Sequence, residues 1–329
     1  MIKGLKRLAV LSVIGSIALS GCGKDKGDPN GSEKTKSFTI GVTQIVEHPS
    51  LDAAFNGFKK ALEDQGVQAD YDVQIAQGDQ NNNQMIANNF VGDSVDLIFA
   101  NSTPSALGAL NATKDIPIVF TSVTDAVGTG LVESMEKPGG NVTGTTDTHP
   151  DAIPNLVKFI QKYFPNSKVG VIYNSGEQNS VAQIDLVKKE MKKANVRLEE
   201  ATVSTSSEVK QAAESLIGKV DVFYIITDNT VVSALESVIQ VANEGDVPLF
   251  VGELDSVKRG GFAAYGFDYF DIGYEAGEMA AKVLTEGKKP SELPVQYPQK
   301  LKLQLNKKAA EEMNIQWKEE WNNLGETIK

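Results

Sequence analysis

From Phe38 onward the chain alternates short apolar runs with amphipathic stretches. Phe38–Thr43 (FTIGVT) is rich in β-branched residues and predicts a buried strand. Leu51–Gln65 repeats apolar residues at Ala54, Phe55, Phe58, Ala61 and Leu62, a helical period that stops at Gly66. Tyr71–Ala76 predicts the next strand, Asn83–Val91 the next helix and Val95–Ala100 (VDLIFA) a third strand. Thr103-Pro104 opens another helix, with an N-cap followed by proline in the first turn. Ile116–Thr121 (IPIVFT) closes this set.

The same rhythm restarts near Pro150. Helix Ile153–Tyr163 leads to strand Lys168–Tyr173 (KVGVIY), helix Val181–Lys193, strand Val196–Val203 and helix Val209–Ile217. Strand Asp221–Ile226 (DVFYII), helix Val231–Asn243 and strand Val247–Val251 complete the second run. Strands that alternate with helices predict an α/β fold with parallel sheets covered on both faces, and two such runs predict two similar Rossmann-like lobes. The tail adds strand Gly261–Tyr265, helix Ile272–Leu284, strand Lys300–Leu305 and helix Lys307–Met313. Such an extra segment after two complete runs predicts a chain that crosses between lobes several times, the crossings forming a hinge. The expected division is 38–149 with about 268–290 in the first lobe, and 150–267 with about 291–329 in the second.

The N-terminus changes the picture of where the chain resides. Lys3, Lys6 and Arg7 precede an apolar run from Leu8 to Ser20, the length of a signal-peptide core and too short for a membrane-spanning helix. Leu19-Ser20-Gly21-Cys22 then resembles a bacterial lipobox, which implies removal of residues 1–21 and a diacylglycerol on Cys22. Two acyl chains hold a protein stably at a membrane. Residues 22–37, rich in Lys, Gly, Asp and Ser, read as a tether. Cys22 is the only cysteine, so neither disulfides nor thiolate metal clusters are expected. The net charge is −11, and it becomes more negative once the basic leader is lost. A nucleic-acid partner is therefore not expected, since phosphate contacts need a surplus of Lys and Arg.

Several runs are similar to ABC-transporter substrate-binding lipoproteins of the tryptophan/tyrosine-associated type. They are Gly41–Gln44 (GVTQ), Glu47–Asp52 (EHPSLD), Val95–Ala100, Asn101–Ala106 (NSTPSA), Ile116–Thr121, Asn141–Thr145 (NVTGT), Tyr173–Ser180 (YNSGEQNS) and Tyr265–Gly277 (YGFDYFDIGYEAG). The resemblance runs from Phe38 to about Ile315. It implies the type-I periplasmic-binding-protein fold and an extracytoplasmic, lipid-anchored monomer. It also implies partnership with an ABC permease and its ATPase, and an aromatic or hydrophobic amino acid as ligand. No cofactor is implied.

Ligands of open α/β sheets bind beyond the carboxyl ends of the strands, where helix N-termini favour carboxylates. That rule selects Thr43, Gln44, Glu47 and His48 after the first strand, and Asn101, Ser102 and Thr103 after the third. Ser122, Val123, Thr124 and Asp125 follow the fourth. In the second lobe it selects Asn174, Ser175, Glu177, Asn179 and Ser180, then Thr227, Asp228 and Asn229, then Glu253 and Asp255. Ser102, Thr103 and Ser122 are candidates for an α-carboxylate, and Asp228 or Glu177 for an ammonium. For each of these, ordinary helix capping is an equal alternative. His48, Tyr173, Tyr265 and Phe267 are candidates to flank an aromatic ring, with lobe-core or hinge packing the alternative, favoured for Phe267 and Tyr173, and with His48-Pro49 alternatively just starting the first helix. Asp147 is a ligand contact or a hinge turn.

Enzyme signatures are missing where they would stand. No Gly-rich phosphate loop follows the first strand, and G-x-S-x-G and H-E-x-x-H do not occur. His48 and His149, the only histidines, lie too far apart in sequence to suggest a metal site. Two other readings stay open: a nucleoside- or sugar-binding lipoprotein, and a ligand-sensing subunit for a membrane kinase. Only Arg197 and Arg259 follow Arg7, which disfavours a sugar.

Overall fold

The computed structural model describes residues 37–328; the leader, Cys22 and almost all of the tether lie outside them. The first sheet contains β1 (Phe38–Gln44), β2 (Ala69–Ile75), β3 (Leu97–Asn101), β4 (Ile118–Val123) and β5 (Val142–Thr146). Its order is β2-β1-β3-β4-β5, all parallel. Helices α1 (Pro49–Asp64), α2 (Gln80–Gly92) and α3 (Thr103–Ala112) connect its strands. Successive residues of the central strands alternate between two cores, as a pleated strand requires. Ile98, Ala100 and Phe120 join the α2 side with Ile86 and Phe90, while Leu97, Phe99 and Val119 join Phe58 and Leu62 of α1.

The chain then enters a second lobe through α4 (Ala152–Tyr163). Its sheet holds β6 (Lys168–Asn174), β7 (Arg197–Val203), β8 (Val222–Ile225), β9 (Leu249–Val251), β10 (Ala263–Gly266), β11 (Lys302–Asn306) and β12 (Glu326–Ile328). The order is β12-β11-β10-β9-β8-β6-β7, parallel except for the antiparallel β10–β11 pair. The helices are α5 (Gln178–Lys193), α6 (Val209–Leu216), α7 (Asn229–Ser233), α8 (Leu235–Glu244) and α9 (Leu254–Arg259). After β10 comes α10 (Tyr269–Glu286), and after β11 comes α11 (Lys307–Glu312).

Three crossings join the lobes: β5 to α4, β10 to α10, and the segment ahead of β11. Helix α10 returns to the first lobe and lies along α1, where glycines let the backbones meet. A Cβ on Gly273 would stand 1.9 Å from the Ala54 carbonyl oxygen, and one on Gly57 2.1 Å from that of Phe270.

The structure departs from the sequence pattern at several places, α9 and β12 being elements that the pattern did not predict. The strand β5 was not predicted, because Thr143 and Thr145 make it read as polar. Both are fully buried, their hydroxyls bonded to Leu293 O (2.6 Å) and Ile272 O (3.0 Å). The single helix expected at Val231–Asn243 is split at Ala234, where φ is −117° and ψ 25°. Asp268 accepts from the Phe270 N–H and starts α10 three residues before Ile272. The last crossing also falls later than residue 290. Val295 N–H donates to Met135 O at 2.7 Å, and Thr146 N–H to Gln296 O at 2.9 Å, so this stretch lines the first lobe's sheet.

Candidate functional site

Carboxyl ends of strands from both sheets meet at the seam between the lobes. In the first lobe, Asn101 ties three strand ends together. Its Nδ2 donates to Gln44 Oε1 (2.9 Å) and Leu51 O (2.8 Å), and its Oδ1 accepts from Ser122 Oγ (2.8 Å). Gln44 in turn donates to Val46 O and Asp52. The two serines carry unusual backbones. Ser102 has φ 128° and ψ 162°, a region almost restricted to glycine, and Ser122 has φ 57° inside a bulge of β4. Each such residue costs on the order of 1–3 kcal/mol and persists only where its surroundings fix it, a pattern that clusters at ligand sites. Ser102 caps α3 through Ser105 N–H (3.3 Å), and Thr103 Oγ1 accepts from Thr124 N–H at 3.4 Å.

Below these strand ends Asp147 occupies the first crossing. It accepts from Thr124 Oγ1 (3.0 Å) and Tyr269 Oη (3.0 Å), and its own N–H donates to Val123 O (3.0 Å). Burial pushes its carboxyl up to about 6, against those bonds. Tyr269 stacks on Phe267 at 5.4 Å, and both pack with Ala54 and Ile272.

The second lobe contributes a denser polar cluster. Asp228 caps α7 through Val231 N–H (2.8 Å) and also accepts from Asn174 N–H (2.6 Å) and Ser180 Oγ (2.6 Å). Its carboxyl is raised by burial and by neighbouring Glu177. Glu177 accepts from Thr230 Oγ1 (2.7 Å), Asn229 Nδ2 (2.6 Å) and Asn179 Nδ2 (3.2 Å). Thr227 is held by both ends of the Gln183 amide.

Capping and site roles, inseparable in the sequence, separate here. His48, Glu177 and Glu253 all stand at N-cap positions, yet none of their side chains caps its helix. Instead Glu253 accepts from Ser50 Oγ of the opposite lobe at 2.8 Å and from Ser256 Oγ at 3.0 Å. Burial pushes its carboxyl up to about 7. The imidazole of His48 is buried and driven down to about 4 by that burial. Gln80 Nε2 reaches Gly176 O at 3.0 Å, a second bond between the lobes. Among buried side-chain atoms left without a partner are Thr43 Oγ1, His48 Nδ1 and Asn179 Oδ1.

Six predicted site residues stand apart from this cluster. Glu47 and Ser175 are exposed. Tyr265 packs its ring against Phe159 beneath α4, and Tyr173 donates to Glu200 of β7 at 2.9 Å. Asp125 bonds its own turn through Gly128 N–H, and Asp255 pairs with Lys258. Sequence reasoning passed over Ser50, Tyr269 and Ser256. The signal for Ser50 was its place one residue into a helix that opens at a strand end.

Comparison with known proteins follows the same seam. The sequence matches the family described as ABC transporter substrate binding protein over residues 39–327. It is 45% identical to the tyrosine-binding protein of Clostridioides difficile (strain R20291), over 96% of this chain and 94% of that one. A Streptococcus pneumoniae ABC domain in complex with L-Trp superposes with a TM-score of 0.84 at 32% identity, covering 89% of this chain and all of the other. The ligand-free, open structure of a Clostridium difficile substrate-binding protein with adhesive properties is nearer in sequence, at 40% identity. Its TM-score is nevertheless only 0.65, over 89% of this chain and 99% of that one. The whole chain thus superposes better on the ligand-bound relative than on the open one, and the architecture is the expected type-I periplasmic-binding-protein fold. With nearly all of its described residues inside the matched range, this chain belongs to the family of ABC transporter substrate-binding proteins.

Proposed function

We propose that the chain captures an aromatic L-amino acid (tyrosine, tryptophan or phenylalanine) outside the cytoplasm and presents it to an ABC permease and its ATPase. The observation that carries this reading is the overall superposition, which is better on the tryptophan-bound relative than on the open relative of higher identity. The name of the tyrosine-binding relative points the same way. The first lobe offers the α3 N-terminus and the strained Ser102 and Ser122, groups suited to a carboxylate. A charge-assisted hydrogen bond there contributes about 1.5–3 kcal/mol. The protein alters no bond in its ligand; closure desolvates it and strengthens each polar contact. Cys22 carries the lipid that holds the mature chain at the membrane, and the protein acts as a monomer.

Calorimetric titration with L-Tyr, L-Trp and L-Phe beside L-Leu, ribose and adenosine tests this. An aromatic amino acid binds most tightly and raises the thermal midpoint, since a ligand of the native state alone stabilises it. Preference for ribose or adenosine would overturn the proposal.

A further inference from the structure

Outside the buried polar cluster, the surface of the seam carries two hollows that neither lobe forms alone. Gly176 and Gln178, at the start of α5 in the second lobe, line both. On one side they face Gln80 and Gln84 of α2 and Leu107 and Asn111 of α3, across a cavity of about 260 Å³. On the other side they stand with Val181 and Ala182 of α5 and face Asp125, Gly128 and Thr129 of the first lobe, across about 380 Å³. The bond from Gln80 Nε2 to Gly176 O, 3.0 Å long, joins the two walls. Because each hollow takes one wall from each lobe, a swing of the lobes apart about the hinge dismantles both at once.

The chemistry of this surface differs from that of the chain. The chain carries 43 acidic and 32 basic side chains. Among the described residues that line the hollows, none is lysine or arginine, and the two carboxylates are engaged within the protein. Asp125 accepts from Gly128 N–H at 2.7 Å, and buried Glu177 accepts from Thr230, Asn229 and Asn179. The groups turned outward are amides and apolar side chains. Gln80, Asn111 and Gln178 are exposed. Val127, in the turn that bears Asp125 and Gly128, is 43% exposed, and Val181 on the opposite lobe 40%. Side-chain amides both donate and accept, so they pair with a backbone or with other amides and need no counter-charge. Depletion of charge around apolar groups is the composition of an interface core.

Resting on the importer reading above, we propose that this two-hollow face is where the ABC permease docks, and that the permease surface it fits is uncharged. An apolar side chain of the permease enters the hollow beside Val181, flanked by backbone or amide groups set against Gln80, Gln84 and Gln178. Docking here does not run on ion pairs. It reports closure directly, since a chain with its lobes apart presents two half-faces and no hollow.

ATP hydrolysis by the permease and its ATPase in nanodiscs, titrated with the L-tyrosine-saturated chain, tests the assignment. Gln84→Arg on the first lobe and Val181→Arg on the second each raise the half-maximal concentration by about tenfold or more, as loss of an interface anchor does. Their calorimetric affinity for L-tyrosine stays within about twofold of the unaltered chain. Val73→Arg, an exposed position on β2 that lines neither hollow, leaves both readouts unchanged. Raising salt from about 50 to about 300 mM moves the half-maximal concentration less than about threefold, because salt screens exposed ion pairs. Unchanged stimulation by both arginine variants overturns the docking face, and so does a steep loss with salt. Losses that merely track a fall in L-tyrosine affinity overturn it too, since the walls then serve closure alone. An unaltered chain that is dimeric by light scattering, with Val181→Arg monomeric, makes the occupant a second copy and sinks the assignment. If the saturated, unaltered chain leaves ATP hydrolysis unmoved, the importer reading fails, and the docking face with it.

Discussion

Glu253 shows how one buried side chain ties pH to the closed state. It stands at an N-cap without capping, bonded to Ser50 across the seam and to Ser256 beside it. Burial raises its carboxyl from 4.5 to about 7, so the folded chain holds a proton that the unfolded chain has already released. Stability from this group is therefore full below about pH 4.5 and declines as pH rises toward 7. The size of the effect is on the order of 3 kcal/mol. Glu253→Gln keeps an acceptor for both serines and removes the titration. Its thermal midpoint falls less between pH 5 and pH 8 than that of the unaltered protein, and matching profiles would dismiss the effect. His48 works in the opposite sense, because its lowered value favours the folded state as pH rises from about 4 to 6.5. It is common to both proteins and cancels in the comparison.

At the scale of elements, the contact between α1 and α10 sets how firmly the chain's return is seated. Gly273 leaves no room for a side chain against the Ala54 carbonyl. Gly273→Ala forces the two helices apart and costs about 1–3 kcal/mol, with a matching fall in the denaturant midpoint of the ligand-free protein. Most elements were legible beforehand because hydrophobic period and fold agreed; α1 and β3 are examples. The exceptions share a cause. β5 is built from threonines that bury their hydroxyls on partners distant in sequence, Leu293 and Ile272, and no local pattern announces such partners. The polar residues after each strand were legible as a group, because the carboxyl-end rule is topological. Their individual roles were not. Whether Glu177 caps a helix or orients two asparagines depends on residues about fifty positions away, and Tyr265 could not be assigned to one face of β10 without its neighbours.

For the molecule as a whole, direct bonds across the seam among the described residues include Ser50 to Glu253 and Gln80 to Gly176. A ligand drives closure only through contacts that the open form lacks. Removing a ligand-independent contact therefore shifts the resting population toward open without altering what saturating ligand achieves. Ser50→Ala increases the radius of gyration of the ligand-free protein in small-angle scattering, and added aromatic amino acid restores the compact value. An unchanged ligand-free radius would show that this bond does not bias the equilibrium.

The lobes are joined by three covalent strands rather than one, with consequences for durability as well as motion. A protease nick at any single crossing leaves two intact bridges, so the halves stay together and in register. Three side-by-side connections also resist swivelling, permitting a bend about one axis and little else. Each closing stroke thus returns the same atoms to the same partners, so a binding site divided between two bodies need not be rebuilt at every cycle.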